Sequence, residues 1–306
     1  MARYLLRRLC LLLPVAWGVS TLVFLLVHLT PGDPVDVMLG ETALPAAREA
    51  LRHSLRLDRP LPEQYLQFLQ GLVTGDLGIS LFSREPVFAR VLKALPATVE
   101  LAVAGLVVAL ILALPLGVLA AVKQGSGLDR GSRFVALLGV SVPNFVLGPL
   151  LILAFAIEIN WLPVSGRGGL DHLLLPALTL GMAMAGILSR MVRASLLEVL
   201  GQEYIRAARA KGLSERQVIL RHGLTAALIP VITIVGLQFG ALLAGTIITE
   251  TIFAWPGLGR LTLQAIQARD YPLVQGCVLA ISFGYVLVNT ATDLAYAYAD
   301  PRIRYE

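Results

Sequence analysis

The sequence predicts an all-α protein that crosses a membrane several times, and three observations lead to that class. Hydrophobic residue types make up 57% of the 306 residues, charged types make up only 15%, and the mean hydropathy is +0.76. Soluble globular domains are nearer half apolar and a quarter charged. The apolar residues are also gathered in long runs that contain no Asp, Glu, Lys or Arg. These runs are continuous rather than alternating, which favours helices, because lipid offers no hydrogen-bond partner to an open strand.

Six uncharged runs divide the chain, and each reaches or approaches the length that a helix needs to cross the hydrocarbon core. The shortest can be extended to Val192 if Arg190 snorkels to the interface. The first has basic residues before it, as in a signal peptide, but it is long for one and lacks a small-residue cleavage site, so we expect it to be retained. The runs, which predict six transmembrane helices, are Leu9–Val27, Leu101–Val122, Phe134–Ile157, Leu173–Ser189, His222–Thr249 and Tyr271–Thr292.

The connections between the runs predict the orientation, because Arg and Lys concentrate on the cytoplasmic side of membrane proteins. Arg190–Arg221 carries seven basic residues against three acidic ones, whereas Thr30–Pro96 carries seven against eight. We therefore predict that both termini are cytoplasmic. The predicted parts are an N-terminal segment with the first helix (1–29), an extracytoplasmic segment (30–96), and a transmembrane core (97–306) that contains a cytoplasmic loop (198–222).

The cytoplasmic loop 198–222 has the pattern of two helices joined by a tight turn. Residues 202–211 are mostly good helix formers, and Gly212 follows where a helix stop requires a positive φ. Ser214–Gln217 has the spacing of a capping box, which predicts the start of a second helix. Composition alone fits a solvated basic loop equally well. The helix–turn–helix pattern instead favours a protrusion that docks in a groove of a soluble partner.

The same loop resembles a known family. Arg206–Gly212 looks like the Ala-Ala-x-x-x-Gly loop of binding-protein-dependent ABC importer permeases. The longer segment Tyr204–Leu213 is similar to the peptide branch of that family, which handles dipeptides, oligopeptides, glutathione and, in some members, nickel. Further matches follow in order along the chain, at Thr30–Pro34, Gly75–Ser80, Leu95–Leu101, Glu250–Arg260, Arg269–Pro272 and Asn289–Arg302.

The resemblance implies a type I ABC importer permease in the bacterial inner membrane. It further implies a second homologous permease subunit, two ATPase subunits that bind ATP and Mg²⁺, and an extracytoplasmic substrate-binding protein. This chain contains no Gly-Lys-Ser or Gly-Lys-Thr phosphate loop, so we expect it to bind no cofactor and to be no enzyme itself. The residues expected to couple it to the ATPase, within the loop 202–213, are Glu203, Arg206, Ala207, Ala208, Lys211 and Gly212.

Polar residues within or at the ends of the runs are candidates for a pathway or gate. They can line a path or simply bond one helix to another; they are Asn144, Gln238, Thr246, Thr249, Glu250 and Asn289. Glu250 is expected at an interface, where water can hydrate it. The turn Trp255–Gly259 is too rich in Gly and Pro for a helix, and its tryptophan fits either a re-entrant turn or an interfacial anchor.

The extracytoplasmic segment is predicted to contain a small helical cap. Apolar residues in Leu61–Phe82 recur close to every 3.6 residues, so one face can pack on the membrane domain. By the family resemblance this cap would contact the substrate-binding protein, and a passive lid is the alternative. The contact residues that we expect are Leu61, Tyr65, Phe68 and Asp76.

Other functions stay open at this stage. A permease for a nickel complex fits the same family. A secondary transporter needs a coupling-ion site near mid-membrane, often with an acid, and no run has an acid at its centre. An intramembrane hydrolase needs a Ser/His pair or two acids at the same depth in the membrane. The histidines at the ends of the spans, His28 and His222, are predicted on opposite sides of the membrane. The scattered histidines predict no metal site. The net charge of +5 reflects membrane orientation rather than nucleic-acid binding.

Overall fold

The computed structural model describes residues 2–29, 35, 44–54 and 57–299. This part of the chain is mainly helical, and the one β-bridge within it is an isolated antiparallel bridge between Ile79 and Pro86. The predicted all-α class is confirmed. In chain order the helices are α1 (Ala2–Leu29), α2 (Pro45–Ser54), α3 (Leu61–Thr74), α4 (Val87–Val122), α5 (Gly127–Ser141), α6 (Asn144–Leu151), α7 (Leu170–Leu200), α8 (Glu203–Ala210), α9 (Glu215–Gln217), α10 (Leu224–Gly245), α11 (Ile247–Ile252), α12 (Leu258–Gln267) and α13 (Tyr271–Ala299).

All six uncharged runs lie mainly in helical structure. Within the described residues, four continuous helical segments are long and apolar enough to cross a membrane: α4, α7, Glu215–Leu242 and α13. The segment Glu215–Leu242 is continuous because a π-helical stretch, Val218–Gly223, joins α9 to α10. In α1 the described apolar part is the shorter stretch Leu12–Leu25. The count of six spans and the side on which the termini lie stay predictions.

The third run does not form one continuous helix. It forms two helices, α5 and α6, that meet at an angle of 102°. Val142 and Pro143 are extended between them, with ψ angles of 114° and 145°. Proline has no amide hydrogen to donate and disfavours the helical conformation in the residue before it, so the helix ends there. After the break, α6 passes into a π-helical stretch, Ile152–Glu158.

The chain divides into two compact units. One contains Ala97–Pro256 and Tyr285–Glu306. In this unit α7 is the central helix, and its fully buried Leu188 and Val192 pack with alanines of α4 and with Val231 of α10. Small residues bring the helices close. A Cβ on Gly139 of α5 would lie 2.7 Å from a backbone oxygen of α7, so only glycine permits this approach.

The other unit contains Ala2–Pro96 and Gly257–Gly284. Its core is formed by the start of α4, by α12 and by the first turns of α13, where Val87, Leu258 and Cys277 are almost completely buried. The sequence matches at Gly75–Ser80 and Arg269–Pro272 meet in this unit. Those at Thr30–Pro34 and at residues 300–302 lie outside the described residues.

Candidate functional site

The predicted coupling segment folds as the short helix α8 followed by a tight turn, the coupling turn (Ala210–Ser214). The helix ends at Ala210, Lys211 is its C-cap, and Gly212 follows with a φ of 80°. Ser214 then opens α9 with a complete capping box: its hydroxyl accepts from the Gln217 amide, and the Gln217 side chain accepts from the Ser214 amide at 3.2 Å. The helix, the positive φ and the capping box were all predicted from sequence, and all three are confirmed.

One face of α8 anchors it to the rest of its unit. Ile205 is fully buried and Ala208 is 8% exposed, and both pack against Val218. Val199 and Leu200, at the end of α7, pack against the same cluster. Ala208 therefore belongs to the inward face, and its side chain is not part of the surface that a partner would meet.

The opposite face of α8 is open. An ion pair between Arg209 and Glu215, with a nitrogen–oxygen distance of 2.7 Å, bridges the coupling turn. Both side chains are exposed, so this ion pair contributes at most about 1 kcal/mol to stability. The conformation of the coupling turn is set instead by Gly212 and by the anchored face of α8. Tyr204 is exposed on this face, together with five of the predicted coupling residues. These five are Glu203, Arg206, Ala207, Lys211 and Gly212.

Sequence reasoning missed a buried carboxylate, in the first turn of α5, that ties this helix to α7. Asp129 precedes the third uncharged run and is 1% exposed, yet it pairs with Arg193 through two nitrogen–oxygen contacts of 2.9 Å. Arg133 approaches within 3.1 Å. The hydrogen bond from Arg193, followed by the one from the Gly125 amide, lowers the pKa of Asp129 to about 2, so it is ionised at neutral pH. The i,i+4 spacing of Asp129 and Arg133 was the available sequence signal.

Two of the predicted pathway residues meet at one cavity of about 210 Å³. Asn144, the first residue of α6, and Gln238 of α10 line it together with one side of α7. The remaining lining residues are Leu180, Ala183, Met184, Ile187, Ala241 and Leu242. The cavity therefore lies where three of the predicted spans approach one another.

The other polar pathway candidates lie elsewhere. Thr246 and Thr249 are fully buried, and their hydroxyl oxygens have no hydrogen-bond partner in the described part of the chain. Asn289 of α13 lies against α10, where a Cβ on Gly240 would be 3.1 Å from its side-chain oxygen. Its position thus belongs to close packing between two helices.

Glu250 and Trp255 form a buried connection to α4, just before the second uncharged run begins. Glu250 is fully buried rather than hydrated, and it accepts a hydrogen bond of 2.7 Å from the Thr98 hydroxyl. Trp255 is also fully buried, and its indole nitrogen donates to the Ala97 carbonyl at 2.7 Å. The expectation of a solvated acid is therefore wrong, and of the two interpretations of Trp255 its buried ring disfavours the interfacial anchor. Ala254, with a φ of 49°, turns the chain so that Trp255 enters the core.

The helix predicted within Leu61–Phe82 is present but shorter than expected. α3 ends at Thr74, because Gly75 adopts a φ of 76° and closes the helix, whereas the sequence pattern ran to Phe82. The Tyr65 hydroxyl lies 2.6 Å from the Thr21 hydroxyl of α1, and the Phe24 ring contacts the rings of Tyr65 and Phe68. Tyr65 and Phe68, which were predicted to contact the substrate-binding protein, therefore contact α1 instead.

The two remaining residues predicted to contact the substrate-binding protein are exposed. Leu61 is 53% exposed and Asp76 is exposed, with its carboxylate accepting from the Gly78 amide at 3.0 Å. The loop that follows is held to the start of α13, because the Ser80 hydroxyl donates to the buried Asp270 carboxylate at 2.5 Å. The open residues therefore belong to a segment that is fixed in place.

Comparisons with known proteins agree with this architecture. Residues 113–305 match the family described as the binding-protein-dependent transport system inner membrane component, and residues 1–102 match its N-terminal region. The chain is 44% identical over 306 residues to the glutathione transport system permease protein GsiC of Escherichia coli strain K12, and 43% identical over 338 residues to the dipeptide transport system permease protein DppB of that strain. Both matches cover the whole of both chains.

Solved structures support the fold. An inward-facing MetNI methionine ABC transporter matches with a TM-score of 0.56 and 21% identity, over 69% of this chain and 96% of that one. An amino acid ABC transporter with histidines matches with a TM-score of 0.54 and 15% identity, over 69% and 94%. The sequence-based family resemblance and the inner-membrane location are thus confirmed. The chain belongs to the inner membrane components of binding-protein-dependent transport systems, the permease subunits of ABC importers, which work with a substrate-binding protein and a separate ATPase.

Proposed function

We propose that this permease moves dipeptides, oligopeptides or glutathione inward across the bacterial inner membrane. The observation that supports this most strongly is the full-length similarity to a glutathione permease and a dipeptide permease, at 44% and 43% identity. A nickel complex remains the alternative substrate. In the proposed assembly, this chain pairs with a second permease subunit, and two ATPase subunits bind ATP and Mg²⁺.

The ATPase would dock on the open face of α8. Two features support this assignment: α8 is short and exposed on one side, and its other side is anchored by Ile205 and Ala208. Its anchor includes Val218, which lies in the continuous helix Glu215–Leu242, and Leu200, which ends α7. Movement of a docked partner would therefore act on two membrane helices at once rather than on a flexible loop.

The substrate-binding protein would approach the segment that contains α3. Leu61 and Asp76 are exposed there, whereas Tyr65 and Phe68 pack on α1 and would hold the segment in place. In this proposal the last two residues support the contact and do not form it. A passive lid predicts instead that exposed residues such as Asp76 can be replaced without changing the affinity for the binding protein.

A bulky substitution at Ala207 tests the docking face. Ala207→Trp should leave α8 folded, because the side chain is exposed, but should obstruct a partner's groove. Ala46→Trp, at an exposed alanine of α2, is the matched control. The measurements, made on the complex assembled in cells, are ATPase co-purification and uptake of labelled dipeptide, glutathione and nickel complex.

We expect Ala207→Trp to lose most of the co-purified ATPase. Its peptide uptake should fall at least about tenfold, which corresponds to a loss of roughly 1.4 kcal/mol in the coupling free energy between permease and ATPase. Ala46→Trp should retain both. Full ATPase recovery with Ala207→Trp would reject the docking face. Uptake of the nickel complex alone by the unmodified protein would reject the peptide substrate.

A further inference from the structure

Helix α3 has an apolar side that the protein covers only in part. Tyr65 and Phe68 form one edge of that side, and their rings contact the ring of Phe24 in α1. Leu66 and Val73 lie two turns apart on the neighbouring edge, because an α-helix repeats every ~3.6 residues. Their side chains are 64% and 89% exposed. Single exposed apolar side chains are ordinary, so the position of this edge in the molecule decides what covers it.

The other side of α3 is polar and carries one charged residue, Glu63. At the helical repeat the polar residues fall together on the side that faces away from the exposed leucine and valine. They are Glu63, Gln64, Gln67, Gln70 and Thr74. A helix that is divided in this way can lie in the plane of a membrane surface, with its apolar side in the lipid and its polar side in water.

Contacts with α1 fix the depth at which α3 lies. The Tyr65 hydroxyl is 2.6 Å from the Thr21 hydroxyl. Thr21 lies inside the first uncharged run, six residues before its end at Val27, which is ~9 Å at the helical rise of ~1.5 Å per residue. Helices at membrane surfaces bury their apolar side ~5–10 Å into the boundary between headgroups and acyl chains. The contact therefore places α3 beside the outer end of the predicted first span, at that boundary.

The adjoining surface of α1 is apolar and open as well. Leu22 and Leu25 alternate with the two residues that contact α3, and they are 68% and 39% exposed. Lipid that covers these leucines lies at the same depth as α3. A soluble partner would have to enter the bilayer to reach side chains at this depth, whereas lipid is already present there.

We propose that α3 is a membrane-surface helix whose Leu66 and Val73 side chains contact the acyl chains of the outer lipid leaflet. Tyr65 would lie at the headgroup level, where the amphipathic rings of tyrosine concentrate. The polar side of α3 then faces water, and it is this side that a soluble binding protein can meet. The lipid contact does not depend on which substrate the importer moves.

Nitroxide labels on single cysteines test this contact in the assembled importer, reconstituted in vesicles of phosphatidylethanolamine and phosphatidylglycerol. Leu66→Cys and Val73→Cys place a label on the exposed apolar edge, in a protein with Cys10 and Cys277 replaced by alanine. Gln70→Cys is the matched control, because Gln70 is an exposed residue on the polar side of the same helix. Molecular oxygen concentrates in lipid and a neutral nickel chelate in water, so power saturation of the resonance signal reports the medium around each label. Co-purified ATPase checks that each variant assembles.

We expect the labels at Leu66→Cys and Val73→Cys to be more accessible to oxygen than to the nickel chelate, and the label at Gln70→Cys to show the reverse. Preferential access of the nickel chelate to Val73→Cys would overturn the lipid contact. Loss of that access on addition of the substrate-binding protein would identify that protein as the occupant. Low access of both reagents would assign the edge to another subunit and would also overturn the proposal. Preferential access of oxygen to Gln70→Cys as well would show that α3 is immersed in lipid and not at its surface.

Discussion

Two turns that the sequence singled out are held in opposite ways. The Trp255 turn (Phe253–Pro256) is tied into its unit by a fully buried indole ring and by the Glu250–Thr98 hydrogen bond beside it. The coupling turn is held by the positive φ of Gly212 and by an exposed ion pair, and most of its surface is open. Both turns were recognised from their Gly or Pro residues. One of them nevertheless holds the core together, and the other is available to a partner.

The difference separates effects on stability from effects on transport. A substitution in the Trp255 turn removes contacts within the core, so it should destabilise the protein. A substitution in the coupling turn removes no core contact, so it should affect transport through the partner beyond any backbone strain that it adds. The following experiments test that distinction, from the largest expected effect to the smallest.

Trp255→Ala should have the largest effect, a loss of about 3–5 kcal/mol of stability, as for other buried aromatic residues. It removes a fully buried ring that packs with Leu101 and Leu180, and it leaves the Ala97 carbonyl without its donor. Trp161→Ala is the control, because Trp161 is 75% exposed and should change stability by about 0.5 kcal/mol or less. Thermal unfolding of the purified protein in detergent measures both. Equal losses would remove the basis for calling the Trp255 turn structural.

Thr98→Val should cost about 1–3 kcal/mol, because a buried carboxylate loses a hydrogen-bond donor while the side-chain volume hardly changes. The comparison is Arg167→Gln, which breaks the half-exposed pair with Glu100 and should cost no more than about 1 kcal/mol. The same unfolding assay ranks the two variants. A larger loss for Arg167→Gln would reverse the assignment of the stabilising contact.

Gly212→Val should cost about 1–3 kcal/mol of local strain, because a β-branched residue is disfavoured at a φ of 80° although space is open. Gly125→Val is closely matched, with a φ of 77° and no atom near its added Cβ. Both variants should insert and unfold alike. Only Gly212→Val should lose substrate-stimulated ATPase activity in the assembled complex. Equal losses of that activity would show general strain and not loss of docking.

The substitutions with the smallest expected effect test the orientation of the chain in the membrane. They should change neither stability nor uptake. Gln70→Cys in α3 and Ala210→Cys at the coupling turn both place a thiol at an exposed position, in a protein with its own two cysteines replaced. An impermeant maleimide should label Gln70→Cys from outside right-side-out vesicles and Ala210→Cys only after permeabilisation. The reverse pattern would invert the predicted topology.

Local features of this chain were predictable from sequence, whereas contacts between distant segments were not. Gly212 and the Ser214–Gln217 capping box depend on neighbouring residues alone, and both were predicted. The Trp255–Ala97 hydrogen bond joins residues 158 positions apart, and the Asp129–Arg193 pair joins residues 64 apart. No periodicity within one segment reports such pairs. The break at Pro143 lies between these cases: the proline is visible, but many membrane helices accommodate proline, so the 102° bend needed the structure.

The most direct test of the central claim is whether uptake depends on ATP hydrolysis by the partner. The assembled importer in proteoliposomes, supplied with its binding protein and a labelled dipeptide, is compared with enclosed ATP, with a non-hydrolysable analogue, and with an imposed proton gradient alone. We predict dipeptide accumulation only with hydrolysable ATP, and its loss in the Ala207→Trp variant. Accumulation driven by the proton gradient without ATP would contradict the account and favour a secondary transporter.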